Sequence, residues 1–288
     1  MNWRVFPPNI ITLGNLFCGV SAIALSFQSE LLLASYLMVA AAILDFLDGF
    51  VARLIKGASP IGVQLDSLAD MVTFGVLPGV MMFQYLSICY GDYYTPIMER
   101  NVMHLWVEGI AFLIPAMSAV RLAKFNISDD QGDHFIGLPT PANALLIATV
   151  PWVLEGVLKI NMYAPITNES MHLLKMANPF WSNYKLFWLF ALSEKATYIS
   201  ASIILSGLLV APFKMINMKF RSLSWEPNKE RFVFLILVGG LGLLALIQLF
   251  TRIPGIPFLG VTIIPIVLLL YIVYSLLLNL KKDNKNEI

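Results

Sequence analysis

Long apolar stretches separated by short polar turns run through most of the chain. A transmembrane helix needs about 20 consecutive apolar residues, whereas a transmembrane strand alternates apolar and polar positions. The apolar stretches are continuous and therefore predict helices. They lie near residues 9–28, 31–55, 64–90, 103–124, 139–160, 190–213, 231–250 and 257–280. The pattern predicts an all-α integral membrane protein with about eight transmembrane helices.

Composition supports this class, because 58% of the 288 residues are hydrophobic, only 13% are charged, and the mean hydropathy is +0.75. Such a chain has too little polar surface to cover a soluble globule. The net charge of +1 gives no support for binding to nucleic acid. Cys18 and Cys89 lie in apolar stretches and are expected to be buried thiols rather than disulfide partners. The first apolar stretch lacks a signal-peptidase pattern, so we interpret it as the first transmembrane helix.

The distribution of lysine and arginine predicts the orientation in the membrane. If both termini face the cytoplasm, most of these residues fall on the cytoplasmic side, as the positive-inside rule requires. An even number of helices agrees with this arrangement. We therefore expect a multi-pass protein of the cytoplasmic membrane, with the loop between the second and third helices inside the cell.

Four carboxylates lie within the second and third predicted helices, where ionisable side chains are costly and need partners. Asp45 and Asp48 are three residues apart, and Asp66 and Asp70 are four apart. On a helix each pair shares one face, about one turn apart. Four clustered carboxylates cannot all stay ionised in a low-dielectric site without cations. The oxygen ligands suit two divalent cations, Mg²⁺ or Mn²⁺, which can grip a diphosphate.

Small residues accompany these carboxylates and leave room for a ligand. Gly49 and Ala52 share the face of the first pair, and Gly62 lies one turn before the second pair. Two alternatives remain open at this point. The carboxylates can instead form interhelical ion pairs with Arg53 and Lys56, or they can line the ion path of a cation transporter.

The stretch from 45 to 70 resembles the signature of the CDP-alcohol phosphotransferase family at every fixed position, Asp45-x2-Asp48-Gly49-x2-Ala52-Arg53-x8-Gly62-x3-Asp66-x3-Asp70. The resemblance implies transfer of a phosphatidyl group from a CDP-activated lipid by displacement at phosphorus. It covers roughly the first six helices, which form the catalytic core of that family. Residues 1–215 would then be this core, with a long external segment at about 161–195. Residues 216–288 would add two C-terminal transmembrane helices and a short polar tail.

The resemblance also implies roles for individual residues. Asp45, Asp48 and Asp66 correspond to metal ligands, and Asp70 corresponds to a further ligand and to the general base. The residues that correspond to contacts with the CDP-lipid are Pro8, Asn9, Thr12, Gly49, Ala52, Arg53, Ser59 and Gly62. Asn9 and Thr12 have an ordinary alternative as caps at the start of the first helix.

Residues 8–19, 121–127 and 137–144 resemble the phosphatidylserine synthase branch of the family, although that branch more often has arginine in place of Lys124. This implies CDP-diacylglycerol as donor and L-serine as acceptor. Arg121, Lys124 and Asn126 are the candidate acceptor ligands, and anchoring of the helix end at the membrane surface is the alternative for the two basic residues. Asn126 and Asn143 can each bond a polar acceptor or bridge two helices.

Other substrates within the family remain open. Glycerol 3-phosphate or an inositol phosphate would need a denser basic pocket than Arg121 and Lys124 provide, and an archaeal ether-lipid donor would contact only generic apolar surface. The family resemblance alone leads us to expect a homodimer. The loop containing His134 is expected to be solvated, and the last two helices are expected to pack around the core.

Overall fold

The structure is a computed structural model that describes residues 5–57, 59–127, 135–157, 192, 194–215, 225–251 and 263–286. These residues are mostly helical, as predicted. Their α-helices are α1 (Phe6–Ser26), α2 (Leu31–Leu54), α3 (Pro60–Asp70), α4 (Leu77–Tyr90), α5 (Val102–Glu108), α6 (Leu113–Ile127), α7 (Thr140–Pro151), α8 (Lys195–Val210), α9 (Trp225–Thr251) and α10 (Ile263–Asn286). One π-helical segment, Met71–Val76, joins α3 to α4, and another, Trp152–Val157, follows α7. Two 3₁₀ turns lie at Ile97–Glu99 and Gly109–Phe112.

Four continuous helical stretches in the described part of the chain are long and apolar enough to cross a membrane. They are Phe6–Ser26, Leu31–Leu54, Pro60–Tyr90 and Val102–Ile127. The apolar helices Thr140–Leu154, Lys195–Val210 and Ile263–Asn279 are shorter. These findings identify a multi-pass membrane protein, whereas the count of eight spans and the orientation stay predictions. The loop at 128–134 and nearly all of the segment predicted at 161–195 lie outside the described residues.

A short antiparallel pair of strands departs from the all-α prediction. Strand β1 (Phe135–Ile136) pairs with β2 (Lys214–Met215), so that the start of α7 is tied to the end of α8. Gly137 follows β1 with φ of 73°, and its N–H donates to the carbonyl of Phe213 at 2.9 Å. A Cβ at Gly137 would lie 2.4 Å from the backbone oxygen of Leu209. Only glycine fits this turn.

Several predicted helix ends were wrong. The third helix begins at Pro60 rather than 64, because Ser59 caps it by accepting a hydrogen bond from the N–H of Gly62 at 3.1 Å, and proline suits the first helical position. Helix α9 begins at Trp225 rather than 231. Helix α10 continues to Asn286, so that most of the stretch predicted as a polar tail is helical.

Helix α4 occupies the centre of the fold and packs against α1, α5, α6, α7 and α8. Its residues from Leu77 to Ser87 are all buried, as expected for a helix that is largely apolar on every face. A Cβ at Gly79 would lie 2.6 Å from Pro115 Cδ, so glycine permits the close approach of α6. The α3–α4 unit thereby holds the carboxylates of α3 in place beside α1 and α2.

Candidate active site

The structure brings the four predicted aspartates together where α2 and α3 meet. Asp45 and Asp48 project from α2, and Asp66 and Asp70 project from α3. One carboxylate oxygen from each of Asp45, Asp48 and Asp66 lies within 4.8 Å of the other two. The side chains of Asp45 and Asp70 form a hydrogen-bonded pair. The spacing in the sequence has therefore produced one compact cluster of oxygen ligands.

This cluster fits divalent cations. Two ionised carboxylates only accept hydrogen bonds, so a direct contact such as Asp45–Asp70 requires a proton or a cation between them. Within the described residues, Arg100 pairs with Glu108 and His104 pairs with Asp92, whereas neither Arg53 nor Lys56 forms an ion pair with the aspartates. The alternative of interhelical ion pairs is therefore wrong for these basic residues. The oxygen ligands are those that Mg²⁺ and Mn²⁺ prefer.

Helix α1 contributes directly to the cluster through Thr12. The hydroxyl of Thr12 donates to Asp48 Oδ2 at 2.6 Å, and both side chains are buried. Helix α1 begins at Phe6, and its cap residue Val5 makes no side-chain hydrogen bond. Asn9 and Thr12 therefore lie inside the helix, and the alternative that they are ordinary caps was wrong.

A cavity of about 160 Å³ opens beside the aspartates. Its lining includes all the predicted CDP-lipid contacts except Arg53, and consists of Pro8, Asn9, Thr12, Asp48, Gly49, Ala52, Gly57, Ser59, Gly62, Val63 and Asp66. Arg53 lies at its edge, because its Nη1 is 3.7 Å from the position that a Cβ at Gly49 would take. A Cβ at Gly62 would lie 3.0 Å from Asn9 Oδ1 and 3.1 Å from Ser59 Oγ. The small residues thus keep this space open.

The three predicted acceptor ligands do not converge. Arg121 is partly buried on α6, its Nη1 donates to Thr140 Oγ1 at 3.3 Å, and it interacts electrostatically with Asp70. Lys124 is exposed. The amide of Asn126 donates to Ser67 Oγ at 3.0 Å on the exposed surface between α6 and α3. Arg121 is therefore the member of this set that interacts electrostatically with the carboxylate cluster, through Asp70.

Two residues that interact with Arg121 were not identified from the sequence. Thr140 lies in the stretch 137–144, which resembles the synthase branch, but its contact with Arg121 gave no separate signal. Tyr271 lies on α10 and interacts electrostatically with Arg121. A lone tyrosine in an apolar stretch is more often a membrane-interface residue. The last helix therefore packs against α7 and places a tyrosine that interacts electrostatically with Arg121, whereas the sequence predicted only packing for it.

Comparisons with known proteins agree with this geometry. The family model for CDP-alcohol phosphatidyltransferase matches residues 5–177, which include every candidate site residue except Tyr271. The protein named CDP-diacylglycerol–serine O-phosphatidyltransferase from Helicobacter pylori is 38% identical over 142 residues, 49% of this chain and 54% of its own. The proteins of the same name from Methanocaldococcus jannaschii and Bacillus subtilis are 32% identical over 183 residues and 31% identical over 151 residues. These two matches cover 64% and 52% of this chain, and each covers 78% of the relative.

The chain spans about half the length of several of these relatives, including those from Helicobacter pylori and Mycobacterium leprae. The family model nevertheless matches well over half of this chain, and the matched region contains the whole carboxylate cluster. The chain therefore belongs to the CDP-alcohol phosphatidyltransferase family.

Proposed function

We propose that this protein transfers the phosphatidyl group of CDP-diacylglycerol to the hydroxyl of L-serine, giving phosphatidylserine and CMP. The observation that carries the proposal is the carboxylate cluster, which borders a cavity lined by small residues and interacts electrostatically with Arg121. The names of the relatives support serine as the acceptor.

The CDP part of the donor would bind in the cavity between α1, α2 and α3. Pro8, Asn9, Thr12, Gly49, Ala52, Ser59 and Gly62 line that space, and Arg53 lies at its edge. A guanidinium there favours the negative diphosphate. The glycines allow the nucleotide to approach the backbone closely.

Asp45, Asp48, Asp66 and Asp70 would hold two divalent cations, Mg²⁺ or Mn²⁺. When bound, these ions supply positive charge that neutralises the diphosphate and favours departure of CMP. Thr12 orients the carboxylate of Asp48 by its hydrogen bond.

Asp70 would act as the general base. Its Oδ1 is buried and has no hydrogen-bond partner among the described residues, so it is available to accept the proton of the serine hydroxyl. The serine oxygen then forms a bond to the phosphorus that carries the lipid, and the bond from that phosphorus to the CMP oxygen breaks. Arg121 would bind the serine carboxylate, with Lys124 and Asn126 as candidate contacts nearer the surface.

The site would face the cytoplasm, since serine and the CMP product are water-soluble and the positive-inside rule predicts that side for the α2–α3 loop. We further propose a homodimer, on the family resemblance alone.

The test offers purified protein CDP-diacylglycerol and Mg²⁺ or Mn²⁺ together with serine, glycerol 3-phosphate or inositol phosphate, and measures CMP release. We expect CMP release with serine. Release with one of the phosphorylated acceptors but not with serine would contradict the assigned acceptor. A parallel reaction with a CDP-activated ether lipid tests the donor. No CMP with any pair of substrates would contradict phosphatidyl transfer and favour a cation path through the aspartates.

A further inference from the structure

Asn143 is a buried amide with an unusual lack of partners. It lies on α7 with a relative exposure of 0%, and neither Nδ2 nor Oδ1 has a hydrogen-bond partner among the described residues. Leaving a buried polar group unpaired costs about 1–3 kcal/mol, and native proteins rarely do so without a ligand or water. Asn143 therefore does not bridge two described helices. Its burial instead favours the other alternative, in which the amide binds a polar ligand.

The position of Asn143 brings it to the acceptor side of the site. Thr140 and Asn143 are three residues apart and share one face of α7. Thr140 accepts a hydrogen bond from Arg121 at 3.3 Å, so this face of α7 adjoins the guanidinium. Helix α7 also packs against the π-helical segment that begins immediately after Asp70. Asn143 thus lies one helical turn beyond the contact of α7 with Arg121.

Three other buried polar atoms on α3 and α6 lack partners among the described residues. They are the Oδ1 of Asp70 on α3 and, on α6, the Nε of Arg121 and the Oγ of Ser118. Arg121 and Asp70 also interact electrostatically with each other. Helices α3, α6 and α7 all pack against the π-helical segment Met71–Val76, and they carry two unpaired donors, Arg121 Nε and Asn143 Nδ2, and two unpaired acceptors, Asp70 Oδ1 and Asn143 Oδ1. A small zwitterion with a hydroxyl group matches that set.

We propose that Asn143 binds the acceptor and selects a free amino acid over a phosphorylated alcohol. Its Nδ2 donates to the α-carboxylate beside Arg121, and its Oδ1 accepts from the α-ammonium group. A phosphate dianion in place of the amino acid's charged groups offers only acceptors, so it would leave Oδ1 unpaired against negative oxygens. This inference rests on the proposed transfer to serine and adds a specificity-determining residue to it.

The test measures the KM for serine and the KM for CDP-diacylglycerol in Asn143→Leu and Asn143→Asp, reconstituted as full-length protein with Mn²⁺. Leucine keeps the branching at Cγ and removes both polar atoms, whereas aspartate keeps the size and replaces the donor by a negative acceptor. We expect the KM for serine to rise at least tenfold in both variants and the KM for CDP-diacylglycerol to stay within twofold of wild type. A thermal shift on adding CDP-diacylglycerol identifies each variant as folded.

Gln84→Leu is the matched control, because Gln84 is also a buried amide but its Nε2 already donates to the carbonyl of Ser26 at 3.1 Å. It lies 14 residues beyond Asp70 along the α3–α4 unit, which is about 20 Å at the rise of a helix. We expect lower thermal stability and an unchanged KM for serine in this control.

A serine KM within twofold of wild type in either folded Asn143 variant would overturn the inference. Equal increases in both KM values would also overturn it, since they would indicate a structural role. If Asn143→Leu does not fold, the two KM values of Asn143→Asp decide whether the inference holds. A wild-type protein without serine-dependent CMP release would instead contradict the proposed function.

Discussion

The Thr12 hydroxyl donates a hydrogen bond of 2.6 Å to Asp48 Oδ2, which joins the first helix directly to the carboxylate cluster. Asp48 is only 5% exposed and Thr12 only 3%, so water does not compete strongly for this contact. Hydrogen bonds to charged groups contribute about 1.5–3 kcal/mol. Helix α1 therefore orients a proposed metal ligand in addition to lining the cavity.

Thr12→Val tests this relationship, because valine keeps the shape of threonine and removes the hydroxyl. Loss of a partner that orients a metal ligand typically reduces metal affinity or activity by about 10–100-fold. We expect the Mn²⁺ concentration for half-maximal CMP release to rise by about 10–100-fold. Thr12→Ser keeps the hydroxyl and should remain near wild type. An unchanged metal requirement in Thr12→Val would show that Asp48 needs no orientation by α1.

Asp70→Asn tests the assignment of the general base. The amide cannot take the proton of the acceptor, and loss of general-base catalysis costs about 10²–10⁴-fold in rate. We expect CMP release to fall by at least the lower bound, while CDP-diacylglycerol still binds in an equilibrium binding assay. Asp92→Asn is the control, since Asp92 pairs with His104 at 2.6 Å near the other end of α4 and should not affect the rate. Full activity in Asp70→Asn would remove Asp70 from the base role.

Gly49→Ala tests whether the donor occupies the cavity. The nearest atom to a Cβ at Gly49 is Arg53 Nη1 at 3.7 Å, so alanine fits the protein without a clash. The added methyl group would enter the space assigned to the nucleotide, and a misplaced methyl group costs about 1–3 kcal/mol in a fitted pocket. We expect the KM for CDP-diacylglycerol to rise at least tenfold with an unchanged melting temperature.

Gly19→Ala provides the contrast for this experiment. A Cβ at Gly19 would lie 2.3 Å from Thr73 Oγ1 and 3.1 Å from Thr73 Cα, so this variant should lose thermal stability. A wild-type KM for CDP-diacylglycerol in Gly49→Ala would place the nucleotide elsewhere.

Tyr271→Phe tests the contribution of the last helix. Phenylalanine keeps the ring, which packs edge-on against Phe234 at 5.8 Å, and removes the hydroxyl that interacts with Arg121. The interaction of a neutral hydroxyl dipole with a guanidinium contributes about as much as one hydrogen bond, about 1 kcal/mol. We expect the KM for serine to rise about fivefold and the KM for CDP-diacylglycerol to stay constant. Tyr274→Phe, which alters a ring stacked on Phe234 at 6.3 Å, should change neither value.

The sequence predicted the helices and the carboxylate cluster because both follow from regular spacing. Apolar length determines a membrane helix, and residues three or four apart must share a face. The contacts of the acceptor ligands were harder to predict, because the position of a residue on a helix does not reveal which neighbouring helix covers its side chain. Ser67 of α3 pairs with Asn126, and Thr140 of α7 pairs with Arg121.

The pattern of apolar residues also could not predict contacts between distant parts of the chain or elements of only two residues. Tyr271 on the last helix interacts electrostatically with Arg121, and the packing of that helix on α7 follows from no local period. Strands β1 and β2 have two residues each, too few for an alternating pattern to appear. The start of α3 was misplaced because Ser59-Pro60 follows Gly57 and resembles a turn, although serine and proline are also the residues that begin a helix.

The most direct test of the central claim follows both products in one reaction. Purified protein receives CDP-diacylglycerol, labelled serine and Mn²⁺, and CMP and labelled phosphatidylserine are quantified over time. We predict that the two products form in equal amounts, that both stop when a chelator removes the metal, and that both return when Mn²⁺ or Mg²⁺ is restored. CMP release that does not depend on serine, or a rate that the chelator leaves unchanged, would contradict metal-dependent phosphatidyl transfer to serine.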